Sequence, residues 1–268
     1  MPELPEVETI IRGLSRHLIG KRIANVELLW PGLVVGDADE TTRQLRGQRI
    51  RGIHRHGKYI IVELRRARRK SCLVIHLRMT GNLLINGEPG PYTRGILHLE
   101  GGPVLVYHDI RKFGRWQWSP DLPPRLRELG PDPLEISNTE FLQRLRQRHA
   151  MAKALLLDQE FLRGLGNIYA DEALFRAGIH PRTNTATIGP VRGLRLWEAI
   201  RGVLNDAIAQ GGSTISNYVD SNGAEGYFQL STFVYGKTGE NCRRCESAIR
   251  RIVIASRSTH FCPRCQRR

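Results

Sequence analysis

The sequence predicts an α+β protein with three parts: an N-terminal β-sandwich carrying a leading helix, a helical domain, and a C-terminal four-cysteine ribbon. Three observations carry this reading. Apolar residues switch from a helical period to short β-rich runs near residue 23, helical periodicity returns after a proline-rich stretch at 119–135, and the chain closes on two CxxC pairs. The 268 residues suffice for one large domain or two of ordinary size. The expected boundaries are 1–124 for the sandwich, 125–140 for a linker, 141–235 for the helical domain and 236–268 for the ribbon.

Each element follows from its pattern. Val7, Ile10, Ile11, Leu14 and Leu18 recur at helical spacing with Gly20 behind them, which predicts a helix over about 6–19. Between about 23 and 118 lie seven or eight short runs punctuated by Gly57, Gly81 and Gly101-Gly102-Pro103, the spacing of a sandwich or barrel. The basic run at 65–70 reads as a solvated hairpin loop. Further helices are expected over 141–149, 151–157, 167–178 and 190–210. Asn167 is the expected N-cap of the third, and in the fourth Trp197, Ile200, Leu204 and Ala207 share a face between Pro190 and Gly211-Gly212.

Charge narrows the partner. Forty-one Lys and Arg against 26 Asp and Glu leave +15, which points to a polyanion, with nucleic acid favoured over a membrane surface because no segment reads as a basic amphipathic anchor. No apolar run approaches the roughly 18 to 20 residues of a membrane span, and MPELPEVETI has no signal-peptide pattern, so a cytoplasmic protein is expected; a nucleoid-associated monomer is a separate expectation that goes with a nucleic-acid partner. Cys242, Cys245, Cys262 and Cys265 form CxxC, sixteen residues, CxxC. Two thiolates three positions apart can share one ion, and a hairpin returns the second pair to complete a tetrahedron around a single structural Zn²⁺. A disulfide framework is the alternative, disfavoured in an otherwise cysteine-poor chain. Arg243, Arg244, Arg250, Arg251, Arg257 and Arg264 surround these cysteines, a positive surface for phosphates. Cys72, in the run CLVIHL, reads as a small buried side chain.

The motifs PELPEVET, GKYIIVEL, IHLRMTG, DIRKFG, GNIYADEALFRAGIHP and SNGAEGYF, followed by the cysteine ribbon, stand in the order seen in the formamidopyrimidine-DNA glycosylase and endonuclease VIII family. The chain resembles that family over essentially its whole length. The resemblance implies a helix-two-turns-helix element in the helical domain. It also implies a bifunctional DNA glycosylase and AP lyase of base excision repair, acting on duplex DNA that carries oxidised bases or abasic sites. The Met79, Arg111 and Phe113 trio and the SNGAEGYFQ segment, similar to the loop that closes over an oxidised purine, favour 8-oxoguanine and formamidopyrimidines as substrates, and the resemblance implies β,δ-elimination as the lyase step. An endonuclease VIII-type enzyme for oxidised pyrimidines and a non-enzymatic zinc-ribbon damage-recognition protein are the competing readings.

The resemblance also assigns residues. Once Met1 is removed, Pro2 offers a secondary amine of near-neutral basicity that can attack a sugar C1′ and form a cationic imine. From the residues alone Glu3 and Glu6 read first as complements to a helix N-terminal dipole, and the resemblance implies instead that they move protons at the sugar and the leaving base. Lys58 of the GKY motif and Arg257 near the hairpin tip complete the implied catalytic set. Met79, Arg111 and Phe113 match the positions that fill the hole left by an everted nucleotide, which an amine attacking C1′ requires. His76, Lys153 and Asn167 match phosphate contacts, Asn167 at a helix start that attracts anions. The sequence departs from the family pattern at Tyr92-Thr93-Arg94 and at His149, which leaves backbone contacts there unsupported.

Overall fold

A computed structural model describes residues 1–214 and 218–268. The chain forms two compact units, residues 1–127 with 210–229, and residues 128–209 with 230–268. In the first, α1 (Leu4–Leu18) precedes two four-stranded antiparallel sheets. One sheet has the order β1 (Ile23–Leu28), β6 (Thr93–Leu99), β7 (Val104–Asp109), β5 (Gly81–Ile85). The other has the order β2 (Arg49–His56), β3 (Tyr59–Arg66), β4 (Arg69–His76), β8 (Arg115–Ser119). A single apolar core joins α1 through Val7, Ile10 and Leu14, the first sheet through Leu83, Leu97 and Tyr107, and the second through Ile60, Leu73, Ile75 and Trp116. This is the expected sandwich with its leading helix.

Local differences from the expectation have local causes. The helix α1 begins two residues early, because Pro5 suits the first turn and a Glu3–Glu6 capping box closes it. A helix unforeseen from the sequence, α2 (Ala38–Leu45), interrupts the β region; the Asp37 side chain caps it by accepting from Glu40 N at 2.6 Å. The basic run at 65–70 is not loop throughout. Arg65 and Arg66 end β3, Arg69 and Lys70 begin β4, and only Ala67 and Arg68 turn between them. The short α3 (Pro124–Arg127) closes this part of the unit. Residues 210–229, expected at the end of the helical domain, group with the sandwich instead because they bind α1 and β5, as described below.

The second unit holds α4 (Asn138–Arg146), α5 (Ala152–Leu157), α6 (Asn167–Ala177), α7 (Pro190–Ala209) and the hairpin of β9 (Arg250–Ile254) and β10 (Arg257–Phe261). Ser137 caps α4, which moves its start three residues ahead of the expected one. The cap of α6 is Gly166 rather than Asn167, and Gly178 ends that helix at φ +67, where a side chain would be strained. No helix among the described residues is long and apolar enough to cross a membrane.

Candidate functional site

In the first unit the capping box at the start of α1 places two carboxylates behind Pro2, and all three residues are buried. Glu3 N donates to Glu6 Oε2 at 2.7 Å, while Glu6 Oε1 accepts from Ser213 N at 2.8 Å. Glu6 is therefore gripped from both sides. Gly212 makes this possible: its φ is +85, and a Cβ there would come within 3.0 Å of the Glu6 side chain. Tyr218 lies across the same turn, its hydroxyl donating to Gly211 O at 3.0 Å and standing 3.4 Å from Glu6 O. Burial pushes that phenol far above its ordinary range, so it stays a donor at any physiological pH. The segment continues along β5, with Ile85 N donating to Ser221 O at 2.9 Å, and it approaches α1 so closely that a Cβ on Gly13 would strike Ser221 Oγ.

The sandwich loops at one end of the strands gather the other expected residues of this unit. Gly57 and Lys58 form the two-residue turn between β2 and β3, with Gly57 at φ +63. Next to that turn, His76 at the end of β4 pairs with Tyr59 in register and meets its ring edge-on at 4.6 Å. His76 is buried, and its Nδ1 accepts from Arg78 N at 2.9 Å, which assigns the ring proton to Nε2. Burial, reinforced by the charges of Arg78, Lys58 and Arg125, pushes the imidazole down to about 3. A neutral ring with a fixed tautomer can donate one hydrogen bond to a phosphate but cannot attract it as a cation.

Met79 and Phe113 project from two neighbouring loops, 41% and 46% exposed, rather than packing into the core. Arg111 lies over the Phe113 ring at 4.6 Å. One buried carboxylate ties the two loops together. Asp109 Oδ1 accepts from Thr80 Oγ1 at 2.5 Å and from Arg111 N at 3.2 Å, and Asp109 Oδ2 accepts from Gly114 N at 2.8 Å. Neither Asp109 nor Thr80 stood out in the sequence. The signal was the aspartate placed ahead of a turn in DIRKFG, a position from which a carboxylate commonly binds the amides that follow it.

In the second unit, Asn167 and Arg257 come together. Asn167 is the first residue of α6, and its Nδ2 donates to Ser258 O at 2.8 Å, beside Arg257 at the head of β10. Lys153 is placed differently from expectation. It has no exposed surface, and its ammonium donates to Asp171 Oδ1 at 2.6 Å and to Asn167 O at 2.9 Å. A buried ammonium is tolerable only with such partners, so in this structure Lys153 does not present a cation to solvent. Asp171 also accepts from His260 N at 2.9 Å, binding α6 to β10. Its neighbour Glu172, equally buried, accepts from the amides of Phe233, Val234 and Tyr235, and burial raises its carboxyl above the usual range despite those donors. Both acids lie in the motif NIYADE, where their helical position concealed their role.

The four cysteine sulfurs lie within 4.8 Å of one another, with Cys242 to Cys265 at 3.9 Å and Cys245 to Cys262 at 3.4 Å. A tetrahedron with Zn–S bonds of about 2.3 Å has edges of about 3.8 Å, so the donor set fits zinc. Arg244 N and Cys265 N point at the sulfurs of Cys242 and Cys262, at 3.5 and 3.4 Å, and would support thiolate charge. All four positions are thiol, which makes this a closed structural zinc site with no place for a reacting water.

Comparison with known proteins agrees part by part. Residues 1–116 match the formamidopyrimidine-DNA glycosylase N-terminal domain, 129–219 the formamidopyrimidine-DNA glycosylase H2TH domain, and 239–268 the zinc finger found in FPG and IleRS. The formamidopyrimidine-DNA glycosylase of Solibacter usitatus is 47% identical over 269 residues, and that of Geobacillus kaustophilus 41% over 278, each covering 100% of both chains. Among solved structures, a Lactococcus lactis FPG mutant in complex with Fapy-dG-containing DNA superposes with a TM-score of 0.91 at 37% identity, covering 100% of both chains. MutM in complex with carbocyclic 8-oxo-G-containing DNA gives 0.88 at 34%, also covering 100% of both. MutM (FPG) from Thermus thermophilus gives 0.88 at 40%, covering 99% of this chain and 98% of that one. With full-length relatives above 40% identity and each part of the chain matched in order, the chain belongs to the formamidopyrimidine-DNA glycosylase family.

Proposed function

We propose that the chain is a bifunctional DNA glycosylase and AP lyase of base excision repair. It excises oxidised purines, 8-oxoguanine and formamidopyrimidines, and then cleaves the strand by β,δ-elimination. The observation that carries this reading is the start of α1, where buried Pro2 precedes two buried carboxylates, Glu3 and a Glu6 gripped by the amides of Glu3 and Ser213. Relatives crystallised with Fapy-dG and 8-oxo-G DNA support the purine substrate. The processed Pro2 amine attacks C1′, and the glycosidic bond breaks with its electron pair leaving on the base. The C1′–O4′ bond then opens, with O4′ taking a proton, to give a cationic imine that makes the C2′ proton acidic; loss of that proton expels the 3′ phosphate, and loss of a further proton along the conjugated chain expels the 5′ phosphate.

Within this scheme Glu3 moves the protons, and Glu6, already committed to two amides, acts as a positioning residue. Lys58 at its hairpin tip and Arg257 at the head of β10 hold phosphates and assist elimination, while His76 donates from Nε2. Met79, Arg111 and Phe113 occupy the gap in the stack, where apolar wedges and a guanidinium replace the everted nucleotide. Asn167 contacts the backbone, and Lys153 acts at one remove by holding the Asn167 carbonyl. We also infer a monomer working at the nucleoid in the cytoplasm.

Borohydride tests the chemistry. Added during reaction with 8-oxoguanine duplex, it should reduce the imine and leave a protein–DNA adduct whose peptide map shows DNA on Pro2. Pro2→Gly should trap less, and an extra N-terminal residue should abolish trapping. Glu3→Gln should impair base excision far more than cleavage at a preformed abasic site. Attachment at Lys58, with Pro2 unmodified, would defeat the assignment.

A further inference from the structure

The end of the sandwich remote from the reactive loops carries a row of directly paired cations. Arg22 bridges to Arg49, Arg49 is in register with Arg65, and Arg65 with Lys70. Directly paired residues share a sheet face, so four like charges stand side by side over three strand spacings of about 4.8 Å, a line of roughly 14 Å. Like charges placed directly opposite destabilise a sheet. Two adjoining hollows extend the row. One, of about 360 Å³, is lined by Arg22, Arg49, Arg51, Arg65 and Arg66 with only Gly47 and Ala67 between them. The second, of about 340 Å³, shares Arg51 and Arg65 and adds Lys70.

Three acids stand near these cations. Glu63 and Asp121 line the second hollow, and Glu100 lies 3.7 Å from the Arg22 guanidinium. They leave a clear excess of positive charge. Three of the arginines are held in place rather than trailing in solvent: Arg49 donates to Gly20 O at 2.5 Å, Arg65 to Ala67 O at 3.0 Å and Arg66 to Arg46 O. Guanidiniums held in this way are arranged to meet phosphate oxygens before any ligand arrives.

The row stands well apart from the reactive loops, where the proposed reaction holds its duplex. Seven residues of β3 separate Lys58 from Arg65, about 23 Å at roughly 3.3 Å per residue. We infer that the Arg22–Arg49–Arg65–Lys70 row is a second binding site, taking the phosphate backbone of a lesion-free duplex segment while the first duplex occupies the reactive end. This inference rests on the DNA-repair reading above. A duplex backbone is favoured over single-stranded nucleic acid because no Phe, Tyr or Trp among the described residues lines either hollow to stack an unpaired base. A line of point contacts also suits a repeating phosphate chain better than a single small anion. An enzyme with two such sites can pass from one DNA segment to the next without entering free solution.

The test saturates the full-length protein with an unlabelled duplex carrying an abasic-site analogue, then titrates in a labelled lesion-free duplex and follows its anisotropy. The native protein should take up one further duplex. Its affinity should fall with salt at a slope of about −2.7 to −3.6 for three or four phosphate contacts. Arg65→Gln/Lys70→Gln should weaken that second binding at least tenfold and leave single-turnover excision on a short lesion duplex within twofold. Arg65→Lys/Lys70→Arg should retain it. Melting of the Gln pair should occur at or above the native temperature, because it relieves repulsion, and a lower melting temperature would show that the row packs the sheet and overturn the inference. Saturation by the first duplex with no second binding, or second binding equal in the Gln pair, also overturns it. So does binding of polyglutamate but not duplex, which would assign the row to an acidic protein. Failure of the first duplex to bind strikes instead at the repair reading itself.

Discussion

Asp109 shows how one side chain fixes where others act. Its two oxygens receive the Thr80 hydroxyl and the amides of Arg111 and Gly114, so the loops bearing Met79 and Phe113 share a single buried anchor. Tyr107 packs above it so tightly that a Cβ on Gly114 would lie 1.6 Å from the Tyr107 hydroxyl, which explains the glycine in DIRKFG. Asp109→Asn keeps the shape but turns one acceptor oxygen into a donor, leaving a buried amide or hydroxyl without its partner at a cost of about 1–3 kcal/mol. The variant should melt at lower temperature and lose excision on duplex DNA by more than that destabilisation explains. Borohydride trapping on a single-stranded abasic oligonucleotide, where nothing needs to replace an everted base, should stay near native. Equal losses on duplex and single strand would show that Asp109 serves stability alone.

Among the elements, the strand pattern and the cysteine ribbon were legible because each is written locally. Periodicity located seven or eight strand runs, where the sandwich has eight, and the spacing of four thiols located a metal site. The helix α2 was not legible, since its mean apolarity is low and its cap, Asp37, sits in a stretch of β-like runs. Lys153 shows a different failure. A lysine at a helix start reads as a surface cation, and only the fold brings Asp171 from α6 to bury it. The ribbon makes a sharp prediction at this scale. Its apolar support beyond the thiols is small, essentially Phe175, Val234 and Ile249, so the metal must supply much of its folding free energy. Cys245→Ser should release zinc, measured by a chromogenic chelator after denaturation, and should weaken binding to an abasic-site duplex by at least tenfold. The melting transition of the sandwich should remain. Undiminished zinc in that variant would remove Cys245 from the site.

For the whole molecule the dominant quantity is the +15 charge, and its sign pointed correctly to a polyanion before any element was placed. What total charge could not convey was where the cations concentrate. Lys58 and Arg257 lie at turns of different units, Lys153 is buried, and a separate row occupies the far end of the sandwich. Pairing across strands creates such groupings, and a linear sequence shows only the short run at 65–70. The proposed assignments can be separated by salt. Each released counterion contributes about 0.9 to the slope of log affinity against log salt, whatever the base sequence. Measured on a short abasic-site duplex that fills only the reactive end, Arg257→Ala should lower the slope by about one. Asn167→Ala should reduce affinity with the slope nearly unchanged, because an amide displaces no counterion. Lys153→Met should also leave the slope unchanged, since its ammonium is already neutralised by Asp171, yet it should lower stability by about 3–5 kcal/mol by stranding that carboxylate. A drop of one in the Lys153→Met slope, with native stability, would return that lysine to the phosphate-contacting set.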